Sequence, residues 1–287
     1  MEVLSSKSAA AVLKKAAQQL ARLEQPALEA DVLLAFVLGV TRSRLLSLAE
    51  RTLSEDQLMK FNRLLERRLQ GEPAAYLTGH REFWSLDLQV TPDVLIPRPE
   101  TERLVELALE RIPENECWRI ADLGTGSGAI AIAIAQERPA CRIIATDSSS
   151  AALEVARGNA ERMEIRNVEF RLAGSDWFDV LQDDQFDMIA SNPPYVRCDD
   201  PHLGALRFEP RTALVAGADG LQSLRDIATQ AREHCAGEGW LLLEHSYDQG
   251  REMVHILSDL GYTGPHDYPD LAGIPRVIVA QWKSSHE

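Results

Sequence analysis

Residues 192–195 read Asn192-Pro193-Pro194-Tyr195 and follow an apolar run, Phe186–Ser191, with the length and composition of a buried strand. Two successive prolines remove two backbone N–H donors and stiffen the chain, leaving carbonyl oxygens free to accept from a ligand. A planar NH2 group fits such a turn. Its two hydrogens are met by the Asn192 side-chain oxygen and the Pro193 carbonyl, while the Tyr195 ring covers its flat face. The nitrogen of an amide or aromatic amine is a poor nucleophile, because its lone pair is delocalised into its neighbour. Two acceptors pulling on its hydrogens draw it toward tetrahedral geometry and aim the lone pair at an electrophilic methyl group. The expected contribution is orientation and transition-state hydrogen bonding. No strong general base is needed, since the nitrogen becomes acidic once methylated and loses its proton late. The competing reading is an ordinary proline turn after a strand.

A second segment has the pattern of a ligand-binding loop. Ile120 and Ala121 lead into Asp122-Leu123-Gly124-Thr125-Gly126-Ser127-Gly128 and then into the apolar run from Ala129, the pattern of a strand, a tight glycine turn and a helix amino end. Glycines allow close backbone approach to a ligand, and the N–H groups of the helix start favour an anionic group, phosphate or carboxylate. Asp147 lies nineteen residues beyond Gly128, at the expected carboxyl end of the next strand, where an acidic side chain accepts hydrogen bonds from ribose hydroxyls. A nucleoside-containing cofactor is expected. Glycine spacing alone leaves open S-adenosylmethionine, a nicotinamide or flavin dinucleotide, or a structural turn, because Gly124, Gly126 and Ala129 also satisfy the dinucleotide pattern.

The elements that must position these segments follow from periodicity. Residues 5–70 carry apolar side chains at helical spacing (Val12, Leu13, Ala16, Ala17, Leu20; Leu58, Phe61, Leu64, Leu65, Leu69), with Pro26 at a helix start, Gly39 at a helix end, a Ser54/Gln57 capping box and Gly71 as a stop. Residues 1–75 are thus a small helical domain. Its Arg63, Arg67 and Arg68 read as a solvated helix face or, more sharply, a docking patch. Over 76–97 the period changes to two (Leu86, Leu88, Val90), then a Thr91-Pro92-Asp93 turn and Val94-Leu95-Ile96, predicting a linking β-hairpin. Residues 98–287 alternate helix and strand: helices near 100–111, from 129, near 151–162 and near 221–235, and strands at 119–123, 142–146, 168–172, 186–191, 240–244 and 277–281. That alternation predicts an α/β fold with a mostly parallel sheet covered on both faces and ligands at the carboxyl ends of the strands.

Composition sets limits. The chain has 287 residues and a formal charge of −14, unevenly spread: 11 basic and 9 acidic residues over 1–75, against 19 and 35 over the remainder. An acidic larger part repels long nucleic acid, whose non-specific binding rests on neutralising phosphates, so a protein or small-molecule partner is expected and direct nucleic-acid binding is not. No apolar stretch approaches the roughly 18 residues of a membrane span, and the first twenty residues lack a signal peptide's apolar core, so the expected location is the cytoplasm. Cys117, Cys141, Cys198 and Cys235 have no metal or redox spacing, and the seven histidines form no triad. No metal is expected, and His80, His202 and His245 read as ordinary loop or surface residues.

With these motifs in place, the sequence resembles the S-adenosylmethionine-dependent protein-glutamine N5-methyltransferases, most closely the release factor branch, the PrmC/HemK family. The resemblance covers nearly the whole chain: the amino-terminal helices, Tyr76-Leu77-Thr78-Gly79, Leu95-Ile96-Pro97-Arg98-Pro99-Glu100-Thr101-Glu102, the glycine loop, Ser175-Asp176-Trp177-Phe178, Asn192 to Tyr195, and Arg207-Phe208-Glu209-Pro210. The Asn-Pro-Pro-Tyr run alone is shared with DNA and RNA amino-methyltransferases; the Ile-Pro-Arg-Pro-Glu-Thr-Glu run is far more specific. The resemblance implies a Rossmann-like class I methyltransferase domain in which Gly124, Thr125, Gly126, Ser127, Gly128, Asp147, Trp177 and Asn192 touch the cofactor. It implies that Asn192, Pro193, Pro194 and Tyr195 hold the substrate, with Asn192, Pro193 and Tyr195 carrying the catalysis. The implied target is the glutamine of the Gly-Gly-Gln loop of peptide chain release factors, with S-adenosylhomocysteine as the other product. Trp177 is read either as core packing or as an adenine neighbour, Arg98 with Glu100 either as an ion pair fixing the linker or as a substrate contact, and Asp122 as serving the loop or the cofactor. The alternatives are a glutamine methyltransferase acting on a ribosomal protein, which departs in the Arg-Pro-Glu-Thr-Glu segment, and an adenine or cytosine amino-methyltransferase, which needs a basic surface. A binding module without turnover and a nicotinamide oxidoreductase leave the Asn192 to Tyr195 clamp unexplained.

Overall fold

The computed structural model describes residues 8–174 and 176–283, and the chain divides into two compact units between His80 and Arg81. The first is helical: α1 (Ala9–Gln19), α2 (Pro26–Leu38), α3 (Arg42–Leu46), α4 (Glu55–Leu69) and α5 (Ala74–Thr78). Its ends are set by the expected signals. Pro26 begins α2, Gly39 closes it in the left-handed region, and Ser54 and Gln57 form a reciprocal capping box. The core holds Val12, Leu20, Leu33, Leu34, Leu53 and Phe61. Of the three arginines read as a solvated face, Arg68 instead ties α4 to α2 through a two-pronged pair with Glu29 (2.9 and 3.1 Å). Arg67 pairs with Glu72 at 2.5 Å, and Arg63 is exposed.

At the boundary stands a hairpin, β1 (His80–Phe83) and β2 (Leu86–Gln89), which from Arg81 onward belongs to the second unit. The sequence predicts its turn at 91–93, with a return strand at 94–96. The turn is Trp84-Ser85, both at positive φ (53° and 58°), as a two-residue hairpin loop requires. A tryptophan and a serine carry no signal for that conformation, and the Trp84 N–H is held by Glu102 Oε1 at 2.9 Å. Residues 94–96 form no strand, since the Ile96 N–H goes to Glu209 and the flanking prolines have no donor to give. Phe83, Leu86 and Leu88 are buried in the core of this unit, so the hairpin is part of its body.

The main sheet has seven strands, in the order β5 (Val168–Leu172), β4 (Arg142–Asp147), β3 (Arg119–Leu123), β6 (Phe186–Ser191), β7 (Cys235–Glu244), β9 (Pro275–Gln281), β8 (Thr263–Pro269). The first five are mutually parallel; β9 runs antiparallel to β7, and β8 to β9. Successive side chains of a strand face opposite ways, and each central strand feeds two cores. Ile120, Met188, Ala190, Leu242, Val277 and Val279 pack with α6 (Glu102–Arg111) and α7 (Ala129–Glu137). Ala121, Leu123, Ile189, Leu241, Leu243 and Ile278 pack with α9 (Gln222–His234) and α10 (Gly250–Asp259). The fifth helix of this unit, α8 (Ser150–Arg162), lies against β5 and β4. The sequence reading lacks α10 and β8. Gly264, Pro265 and Pro269 hide β8, and its place at the sheet edge is where prolines are tolerated. The direction of progression reverses between β3 and β6, which puts the ligand crevice at their carboxyl ends.

Candidate active site

The register pairs Leu123 with Ser191, so the residues that follow, Gly124 and Asn192, leave the sheet side by side. The Ser191 hydroxyl donates to the Leu123 carbonyl at 2.6 Å and locks the two ends together. Gly124, Gly126 and Gly128 all have positive φ (71°, 57° and 84°), a conformation costly to any residue with a Cβ. A Cβ on Gly128 would come within 2.8 Å of Ile132 Cδ1 and 3.2 Å of Ala156 Cβ, and one on Gly124 would lie 3.3 Å from the Trp177 ring. Gly128 therefore lets α7 seat against α8, while Gly124 gives the close approach beside Trp177.

Two carboxylates shape the loop. Asp122 is fully buried; its Oδ2 accepts from the Thr125 hydroxyl (2.6 Å) and the Ala131 N–H (3.1 Å). It serves the loop, as one of its two sequence readings has it. Burial pushes this carboxyl up to about 7 against those two hydrogen bonds, and Asp147 adds to the rise. Asp147, at the end of β4, accepts from the Gly126 N–H and the Ser149 N–H, both at 2.9 Å. Burial raises its pKa while backbone N–H groups oppose the shift.

A cleft of about 450 Å³ opens between these segments, lined by Gly124, Gly126, Asp147, Trp177, Asn192 and Pro194, and also by Asp93 to Leu95, Ser148, Ser149, Asp176, Thr212 and Ala213. That volume is within the range of small-molecule sites. Thr125, Ser127 and Gly128 are buried behind the loop and do not line the cleft. Trp177 packs on the α9/α10 core, as the first of its two readings has it, and also walls the cleft. Ser175 lies outside the described residues.

Asn192 donates from Nδ2 to the Thr101 hydroxyl at 3.1 Å, and its Oδ1 is buried with no hydrogen-bond partner among the described residues. Pro193 is buried and Pro194 half-buried. The Tyr195 side chain turns away from the cleft lining, and its hydroxyl donates to Glu244 Oε1 at 3.0 Å. Gln249 Nε2 donates to the Tyr195 carbonyl at 3.1 Å. Glu244 is itself buried. Desolvation pushes its carboxyl up to about 7, while the hydroxyls of Thr101 and Tyr195 favour its ionised form.

The Ile96 to Glu102 run braces this cluster. Arg98 pairs with Glu209 (2.5 Å) rather than with Glu100, and Glu209 also accepts from the Ile96 N–H at 3.2 Å. The two partners lie 111 residues apart, a pairing no local pattern announces. Thr101 and Glu244 are the site residues to which the sequence reading assigns no role. Thr101 stands in the most specific motif, whereas a carboxylate after a strand carries no such signal. His245, read as a loop or surface residue, is fully buried because it follows β7 into the core, and its Nε2 lies 3.1 Å from Asp267 Oδ1. Among the described residues no group of three His, Cys, Asp or Glu side chains has metal-binding geometry, and no helix is long and apolar enough to cross a membrane.

Residues 11–79 match the PrmC N-terminal domain, and residues 102–206 the methyltransferase small domain. Among solved structures, a Pyrococcus furiosus methyltransferase aligns with a TM-score of 0.54 at 19% identity, over 77% of this chain and 98% of that one. The hMettl16 catalytic domain in complex with a MAT2A 3'UTR hairpin aligns with a TM-score of 0.57 at 15% identity, over 75% and 81%. These two share the fold. The release factor glutamine methyltransferase of Aliivibrio fischeri is 48% identical over 282 residues, 96% of this chain and 98% of the relative. The protein of the same name from Escherichia coli is 46% identical over 272 residues, 94% and 97% of the two chains. With such identity over nearly all of both sequences, on a methyltransferase fold whose glycine loop and Asn-Pro-Pro-Tyr turn meet at one cleft, the chain belongs to the release factor glutamine methyltransferase family.

Proposed function

We propose that this chain transfers the methyl group of S-adenosylmethionine to the side-chain amide nitrogen (N5) of the glutamine in the Gly-Gly-Gln loop of peptide chain release factors, with S-adenosylhomocysteine as the second product. The observation that carries this reading is the buried Oδ1 of Asn192 beside the glycine loop, without a hydrogen-bond partner among the described residues. A buried acceptor left unpaired costs stability, and a primary amide brings the hydrogen it lacks.

The residues fit the cofactor. Gly124 and Gly126 allow backbone approach, and Asp147, already fixed by two N–H donors, has lone pairs left for ribose hydroxyls. Trp177 offers an aromatic wall beside Gly124. When bound, S-adenosylmethionine supplies an electrophilic methyl group on a positively charged sulfur. The chain's own part is to hold the acceptor. Asn192 Oδ1 and the Pro193 carbonyl accept the two amide hydrogens and align the nitrogen lone pair, and the rigid proline turn keeps both oxygens in place before the substrate arrives. The proton leaves late to water. Tyr195, clamped at its hydroxyl by Glu244 and at its carbonyl by Gln249, fixes the far end of the turn. The helical unit recognises the protein substrate, and the acidic larger unit disfavours nucleic acid as the acceptor.

The test is transfer of a labelled methyl group to purified release factor carrying either its intact Gly-Gly-Gln loop or alanine in place of that glutamine. Label is expected only on the intact loop. Label that persists after the replacement, or that goes instead to a ribosomal protein or a nucleic acid, would overturn the assignment.

A further inference from the structure

An asparagine is seldom fully buried inside a helix, because its amide has two hydrogens and an acceptor oxygen to satisfy away from water. Asn159, near the end of α8, has no exposed surface, and each part of its amide is used. Nδ2 donates to the Ser127 carbonyl at 2.8 Å and to the Gln89 carbonyl at 3.0 Å. Oδ1 accepts from the Gln89 N–H at 2.8 Å and from Arg162 Nη2 at 2.9 Å. A carbonyl only accepts, while an N–H and a guanidinium only donate, so these partners fix which way round the amide lies.

The bonds reach two segments distant in sequence. Ser127 stands in the glycine loop between Gly126 and Gly128, both at positive φ. Gln89 is the last residue of β2, which pairs with β1 in a two-stranded sheet. The Asn159 amide exchanges two hydrogen bonds with Gln89, as a residue of a neighbouring strand would. Arg162 extends this pairing along the same edge of β2, donating from Nη2 to the Asp87 carbonyl at 2.6 Å. Both segments lead into the cleft. Gly124 and Gly126 line it, and so do Asp93 to Leu95, a few residues beyond Gln89, whereas Asn159 does not.

We infer that Asn159 is a positioning residue that ties the glycine loop to the end of β2 and so fixes two stretches of the cleft lining relative to each other. The inference rests on the reading of this cleft as the S-adenosylmethionine site. A ligand binds a site in proportion to the fraction of time the site is correctly formed, and a tie made before binding removes the cost of assembling it. The Asn-Pro-Pro-Tyr turn is not among the partners of Asn159. Its loss therefore acts on cofactor affinity rather than on methyl transfer once the cofactor is bound.

The experiment compares Asn159→Ala and Leu257→Ala with the unmodified chain. It measures S-adenosylhomocysteine affinity by calorimetry, melting temperature, single-turnover methylation of release factor at saturating cofactor, and hydrogen exchange of the 86–89 amides with and without S-adenosylhomocysteine. Leu257 is buried in the α10 core and does not line the cleft, so L257A lowers stability without releasing either segment. N159A is expected to weaken affinity by about tenfold or more while the saturated rate stays within about threefold, and L257A to keep affinity within about twofold. Binding should slow exchange at 86–89 in the unmodified chain, and N159A should abolish that protection. The inference is overturned if N159A binds within about twofold of the unmodified chain, if L257A loses as much affinity as N159A, or if the protection survives in N159A. Should N159A fail to fold, the exposed Arg162 carries the test: R162A is expected to weaken affinity about threefold, and unchanged affinity overturns the inference. Failure of the unmodified chain to bind S-adenosylhomocysteine would instead strike the proposed function, so the two failures are distinguishable.

Discussion

Replacing Asn192 by alanine removes an acceptor that is buried, without a hydrogen-bond partner among the described residues, and next to the glycine loop, and the size of the effect can be worked from its surroundings. If Oδ1 bonds the amide hydrogen most strongly as the nitrogen pyramidalises, its loss resembles removal of one preorganised transition-state hydrogen-bonding group, a factor of about 10²–10³ in kcat, or roughly 3–4 kcal/mol. Cofactor binding loses at most one contact, worth about 0.5–1.5 kcal/mol, so affinity for S-adenosylmethionine should fall by no more than about tenfold. The fold loses the hydrogen bond from Nδ2 to Thr101, a cost of about 1 kcal/mol. Single-turnover methyl transfer at saturating cofactor and release factor separates these terms, since binding is then removed from the rate. A rate within threefold of the unmodified chain would refute the role given to Asn192. A loss wholly accounted for by weakened cofactor binding would refute it too.

Other consequences follow from the same geometry. Gly128→Ala forces a Cβ into a backbone at φ 84° and within 2.8 Å of Ile132 Cδ1. It should destabilise the chain by about 1–3 kcal/mol in urea unfolding, and an unchanged midpoint would contradict the packing argument. Glu209→Ala leaves Arg98 without its partner and the Ile96 N–H unpaired; because Arg98 is partly exposed, about 2–3 kcal/mol of lost stability is expected, and a neutral change in calorimetry would show that this brace is dispensable. Asp122 has a folded-state pKa raised from 3.8 to about 7, so across that window the folded chain binds more protons than the unfolded one and this group's cost to stability grows as pH rises from about 4 to 7. Asp122→Asn keeps an acceptor for Thr125 and Ala131 and removes the titration. Its stability relative to the unmodified chain should therefore climb over that window and level off above it, and a difference independent of pH would refute the raised pKa.

The glycine loop was legible because close backbone approach and positive φ leave few residues but glycine at 124, 126 and 128. Asn192 was legible because an apolar run followed by two prolines marks both a strand and its end. The sheet followed from the same alternation, since residues 119–123, 186–191 and 240–244 each supply side chains to two cores. The true hairpin turn was hidden because Trp84 and Ser85 adopt positive φ under tertiary restraint from Glu102, which local propensity does not encode. The linkage of Arg98 to Glu209, and that of Tyr195 to Glu244, join residues 111 and 49 positions apart; such pairs exist only once the sheet has brought them together. The expected cofactor residues Thr125, Ser127 and Gly128 took buried places because each anchors the loop: the Thr125 hydroxyl donates to Asp122, the Ser127 carbonyl accepts from Asn159, and Gly128 packs against Ile132 and Ala156.

In the proposed reaction a rigid acceptor at the end of β6 holds a carboxamide in line for methylation. This is tested most directly by a crystal structure of the chain with S-adenosylhomocysteine and a peptide bearing the Gly-Gly-Gln sequence. The glutamine side-chain nitrogen is expected within hydrogen-bonding distance of both Asn192 Oδ1 and the Pro193 carbonyl oxygen. A glutamine side chain seated away from residues 192–195, with the cofactor product in the cleft, would contradict it.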